Sequence, residues 1–147
     1  MKKELTNTSL AFGVISMLYN VVYGVLFGFL INVIIAIIEA AAKADGTWTT
    51  VYFLGGFAVL ASALVNLVAL FFVKRKPLVS GILFTVTCVV VSTYAILTLV
   101  KLFSVLTLVF AVLAIAFEVV AMATAFAAHR DMQAHQAPQV EQSEQAE

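Results

Sequence analysis

The sequence of 147 residues is poor in several things that soluble domains and metal proteins depend on. It holds a single cysteine, Cys88, which excludes an intramolecular disulfide and leaves too few thiols for a zinc or iron–sulfur centre. Proline occurs only at Pro77 and Pro138, so long stretches run without a helix breaker. Charged residues make up 11% of the chain, and the eight basic and eight acidic side chains cancel. That balance provides no basic field for nucleic acid and no acidic one for cations. His129 and His135 lack cysteine or carboxylate companions at ligand spacing, so neither a metal nor a cofactor is expected. The zinc-protease, nucleophile-elbow and phosphate-loop motifs are missing, and Ser62, Ser92 and Cys88 have no neighbouring histidine to activate them. The composition therefore argues against an enzyme.

What is present is apolar: 63% hydrophobic residues and a mean hydropathy of +1.09 exclude a water-soluble domain. About 20 apolar residues cross a bilayer core, and four such runs occur, at about 9–42, 51–73, 78–100 and 102–130. The last two touch. A single helix across both would be about 75 Å long, more than twice the membrane, so the chain must reverse near Lys101. The expected fold is an all-α integral membrane four-helix bundle over residues 1–130, contacting the lipid bilayer, with a flexible polar tail at 131–147.

Lys and Arg are retained on the cytoplasmic side of short connections. Lys2 and Lys3 precede the first span, Lys74, Arg75 and Lys76 separate the second from the third, and Arg130 follows the fourth. The opposite side carries Lys43 and Lys101 alone, so both termini are expected in the cytoplasm. Glu39 and Lys43 stand four apart in the favourable order, and Gly46 can terminate the first helix.

In lipid no hydrophobic force drives helices together, and small side chains with buried hydrogen bonds must hold the bundle. Each span carries such a stripe: Ser16, Asn20, Gly24, Gly28, Asn32, Ala36 and Ala40 on the first; Gly55, Ala58, Ser62, Asn66 and Ala69 on the second; Gly81, Thr85, Cys88, Ser92 and Ala95 on the third. The fourth has Ser104, Thr107, Ala111, Ala114, Glu118, Ala121, Ala125 and Ala128 at three-four spacing. These stripes are expected to be the packing seams of one bundle; alternatively, the Gly24–Gly28 face serves a homo-oligomer.

Glu118 is the one large member of its stripe, and an ionisable residue inside a span is costly enough to mark a functional-site candidate. Counted from the cytoplasmic ends, Glu118 and Asn20 lie about 13 Å deep, Asn66 about 10 Å, and Thr85 and Thr87 about 10 to 14 Å. One polar group from every helix thus reaches a common layer, in which Asn20, Asn66 and Thr85 can pair with Glu118.

The segment Lys74-Arg75-Lys76-Pro77 followed by Gly81-Ile82-Leu83 resembles the central hairpin of small four-span bacterial membrane proteins of unknown function. That resemblance implies a bacterial inner-membrane location. Phe117-Glu118-Val119-Val120-Ala121 is similar to the stretch around the membrane glutamate of small multidrug resistance transporters, which carry it in the first helix of a shorter chain and not in the fourth. Two functions are therefore expected in order. The first is a non-enzymatic accessory, structural or regulatory membrane protein that meets a partner membrane protein. The second is an oligomeric, proton-coupled exporter of small cationic compounds with Glu118 as proton and substrate site.

Overall fold

Inside a bilayer every backbone N–H and C=O must be satisfied within its own segment, so long apolar runs free of breakers become long helices. The structure, a computed structural model, describes residues 2–43, 45–101 and 105–144, with side chains described for all of these except Lys2, Lys101 and 135–144. α1 (Lys2–Val25), a π-helical turn (Leu26–Leu30) and α2 (Ile31–Ala41) form one continuous first span; α3 (Thr47–Phe72), α4 (Pro77–Lys101) and α5 (Val105–Glu144) form the others. The stretches Lys3–Ala41, Thr47–Phe72, Pro77–Val100 and Val105–Ala134 are each long and apolar enough to cross a membrane. The protein is an all-α, multi-pass bundle with four candidate spans.

The first span starts at Lys2 and not near Ser9, because nothing in the polar lead-in breaks the helix. α4 ends at Lys101 and α5 begins at Val105, so the chain reverses where span length requires. Ser104, the first member of the α5 stripe, lies outside the described residues. The backbone of α5 continues helical to Glu144, whereas the side chains of the expected tail lie outside the described residues from 135 onward.

Each helix packs on its sequence neighbours, and α5 closes the ring against α1. Neighbours are antiparallel: α1 faces α3 at Leu70 from Gly13, and the π-helical turn faces it at Gly56 from Gly28. The start of α1, the C-terminal part of α5 and the hairpin Lys74–Lys76 therefore share one end of the bundle. Large side chains such as Leu18, Ile37, Leu64 and Val105 point outward, as lipid contact requires.

One contact between the first span and α3 is backbone to backbone. A Cβ built on Gly28 would lie 2.5 Å from the Cα of Gly56, and glycine is the residue that permits such contact. The Gly24–Gly28 face is thus filled by α3 of the same chain, with Gly24 against Leu60, and any homo-oligomer would have to use another surface. Gly56, and not the adjacent Gly55, makes this contact; Gly55 instead receives the ring of Tyr94 from α4.

The π-helical turn adds one residue to the helix beside that contact. A strict four-residue stripe also drifts off a face, because a turn takes about 3.6 residues. Ile35 and Glu39 accordingly replace Ala36 and Ala40 on the buried side of α2.

Two apolar clusters fill the interior. Tyr23, Phe27, Tyr52, Val59, Val91 and Tyr94 build an aromatic one toward the α2–α3 loop, where Tyr23 packs on Phe27 with ring centroids 4.8 Å apart. Ala69, Val73, Phe84, Ala121 and Ala125 build a smaller one toward the termini.

Candidate functional site

A polar layer separates the two clusters, and Glu118 is at its centre. The three-four spacing of α5 turns Thr107, Ala111, Ala114, Glu118, Ala121, Ala125 and Ala128 inward together, all of them buried. Because the other members are small, neighbouring helices come close enough for their own short polar side chains to reach the carboxyl group.

Glu118 is 0% exposed. Its Oε1 accepts from Asn20 Nδ2 on α1 at 2.7 Å and from Asn66 Nδ2 on α3 at 2.8 Å. Its Oε2 lies 3.0 Å from Thr87 Oγ1 on α4. Asn66 is the hub of the layer: Nδ2 also donates to Ser16 Oγ at 3.2 Å, and Oδ1 accepts from Thr87 Oγ1 at 2.8 Å. Asn20 and Asn66 are themselves fully buried and Thr87 nearly so. Asn20 Oδ1 is buried without a hydrogen-bond partner. No Lys, Arg or His side chain touches Glu118 among the described residues.

The structure thus brings together Glu118, Asn20 and Asn66, but not Thr85. Thr85 is half-buried and donates to its own helix at Gly81 O, 2.8 Å away. Residues two apart do not share a helix face, and the buried series Phe84, Thr87, Val91 and Tyr94 gives the inward position to Thr87. That face of α4 could not be found by looking for small residues. Phe84 and Tyr94 are large because they fill the hollows at Gly13 on α1, across the bundle, and at Gly55 on α3.

The other singled-out positions are packing residues. Ser62 is buried and donates to Ala58 O within its own helix. Gly81 faces the ring of Phe126, Ala114 belongs to the aromatic cluster, and Ala121 to the smaller one. Lys74, Arg75 and Lys76 are exposed in the hairpin, where the backbone N–H groups of Arg75 and Lys76 donate to Phe72 O. Among the described residues no three His, Cys, Asp or Glu side chains gather closely enough to hold a metal ion.

A second carboxylate has a role that its sequence neighbours do not reveal. Glu39 turns from Lys43 toward α3, where Oε1 accepts the Trp48 N–H and Oε2 the Thr49 N–H, each at 3.1 Å, and the Thr49 hydroxyl also donates to Oε2. It caps a helix N-terminus from the preceding helix, satisfying N–H groups that have no partner within α3. In the loop between them, Asp45 accepts the Thr47 N–H at 3.1 Å, and this bond holds its carboxyl below the usual aspartate range. The α2 helix ends through a left-handed Lys43 (φ 53°), and not at Gly46, whose own left-handed φ of 73° precedes α3.

Comparison with family models, with curated proteins and with solved structures finds no match. Neither sequence resemblance gains support from it, and the reading of the site rests on the geometry of the site itself.

Proposed function

We propose that this chain is a non-enzymatic accessory or structural membrane protein in which Glu118 latches the four spans into one register. One observation carries the reading: a fully buried carboxyl group on α5 is engaged by side chains from α1, α3 and α4 of its own chain. Such a cluster fixes how deep each helix sits relative to the others, alongside the close packing of small residues. The excess of Lys and Arg at the end that holds both termini supports a cytoplasmic orientation of that end. The short hairpin resemblance favours a bacterial inner membrane.

The rival reading is a proton-coupled exporter, in which a cationic substrate and a proton alternate at Glu118. It requires the carboxyl group to meet substrate, whereas every polar partner of Glu118 here is an internal side chain. Thermal unfolding in mild detergent tests the latch: Glu118→Ala is expected to lower Tm clearly. Binding of a lipophilic quaternary cation to wild type with release of a proton, lost in Glu118→Gln, would replace the latch by the exporter.

A further inference from the structure

Around Glu118 the acceptors outnumber the protons available to them. Thr87 has a single hydroxyl proton, yet its Oγ1 lies within bonding distance of three acceptors: Asn66 Oδ1 at 2.8 Å, Glu118 Oε2 at 3.0 Å and Phe84 O at 3.0 Å. Phe84 O sits inside α4, where the helix ladder already supplies an N–H. Asn66 Oδ1 and Glu118 Oε2 remain in competition for one proton. Were Glu118 ionised, one of these two buried oxygens would face another oxygen with no hydrogen between them, and the charge would lack a cation.

We propose that the cluster is a proton-binding site: Glu118 carries a proton on Oε2 and donates it to Thr87 Oγ1, whose own proton goes to Asn66 Oδ1. Oε1 is excluded as the protonated atom, because it already accepts from both Asn20 and Asn66. With this one added proton, both carboxyl oxygens, Thr87 Oγ1 and Asn66 Oδ1 are all paired. The inference deepens the latch reading and rests on it, since the latch so described is neutral and needs no counter-ion in the membrane interior.

The surroundings add no competing charge. The titratable side chains on the helices packed against α5 include Tyr19 and Tyr23 on α1 and Cys88 on α4. Tyr19 donates to Phe110 O at 3.0 Å, and Cys88 Sγ pairs with Ser92 Oγ at 4.0 Å. α3 contributes amide and hydroxyl groups, Asn66 and Ser62, and no titratable one at this level. The described cations Lys3, Lys74, Arg75, Lys76, His129 and Arg130 belong to the end with the termini, and Lys43 to the other.

The test is infrared spectroscopy of the full chain in lipid nanodiscs, together with thermal unfolding in mild detergent at neutral pH. At neutral pH the wild type should show the C=O stretch of a protonated carboxyl group. That band should be lost in Glu118→Gln and shifted in Thr87→Val, which removes the acceptor of the proton. Glu118→Gln, whose amide reproduces the donor and acceptor pattern of the protonated acid, should fold and unfold together with wild type. Absence of the band, or failure of Glu118→Gln to fold, overturns the proton assignment. The latch survives that failure if Glu118→Ala still unfolds earlier than wild type, and falls if it does not.

Discussion

Glu39 and Glu118 are carboxylates on buried helix faces of one small protein, and the donors around them differ in kind. Glu39 meets two backbone N–H groups at the start of α3 and the Thr49 hydroxyl, all unambiguous donors, with the positive end of a helix dipole behind them. Glu118 meets two amide groups on one oxygen and a contested hydroxyl on the other. The first environment suits a negative charge and the second suits a neutral acid. A carboxyl group in a membrane span is therefore not one kind of object, and the identity and number of its donors decide what it does.

Substitutions can break this contrast in order of expected effect. Glu118→Ala removes the common acceptor of Asn20 and Asn66 and leaves a hollow. Three lost intramembrane bonds and a small cavity together should cost about 3 kcal/mol, read as a large drop in Tm in mild detergent. Gly28→Ala forces a methyl group into the backbone of Gly56 and should cost about 2 kcal/mol in the same measurement. Because that contact lies away from the polar layer, the infrared signature of Glu118 should persist in whatever fraction remains folded.

Glutamine at each carboxylate sharpens the contrast. Glu118→Gln should leave Tm close to wild type at neutral pH. Glu39→Gln, which replaces one acceptor oxygen at the α3 N-terminus by a donor, should lower it and fray the first turn of α3, visible as faster amide exchange at Trp48 and Thr49. The smallest effect belongs to Asp45, held in the ionised form by the Thr47 N–H. A depressed folded value means its contribution is present above the unfolded aspartate value and is lost as pH falls through the folded one. Asp45→Asn should therefore flatten the acid limb of the stability profile slightly and leave the alkaline limb unchanged.

Much of this arrangement was legible from sequence where one helix decides it alone. The α5 stripe follows from residue size and three-four spacing, and every described member of it is buried. Depth along each span was enough to bring Asn20, Asn66 and Glu118 to one level. What required the structure is decided by a second helix. Gly55 and Gly56 are equivalent until Gly28 and Tyr94 each take one of them. Thr87 displaces Thr85 because the inward face of α4 carries Phe84 and Tyr94, large residues matched to glycines on other helices. The extra residue of the π-helical turn, beside the Gly28–Gly56 contact, leaves no mark in composition or periodicity. Glu39 reads as the partner of Lys43 until the loop turns α3 back toward it.

The most direct test of the account is thermal unfolding of wild type, Glu118→Gln and Glu118→Ala side by side in mild detergent at neutral pH. A neutral latch predicts that the glutamine variant unfolds with wild type and the alanine variant well below both. An alanine variant as stable as wild type, or more so, would contradict it and show that the carboxyl group is kept for something other than holding the bundle together.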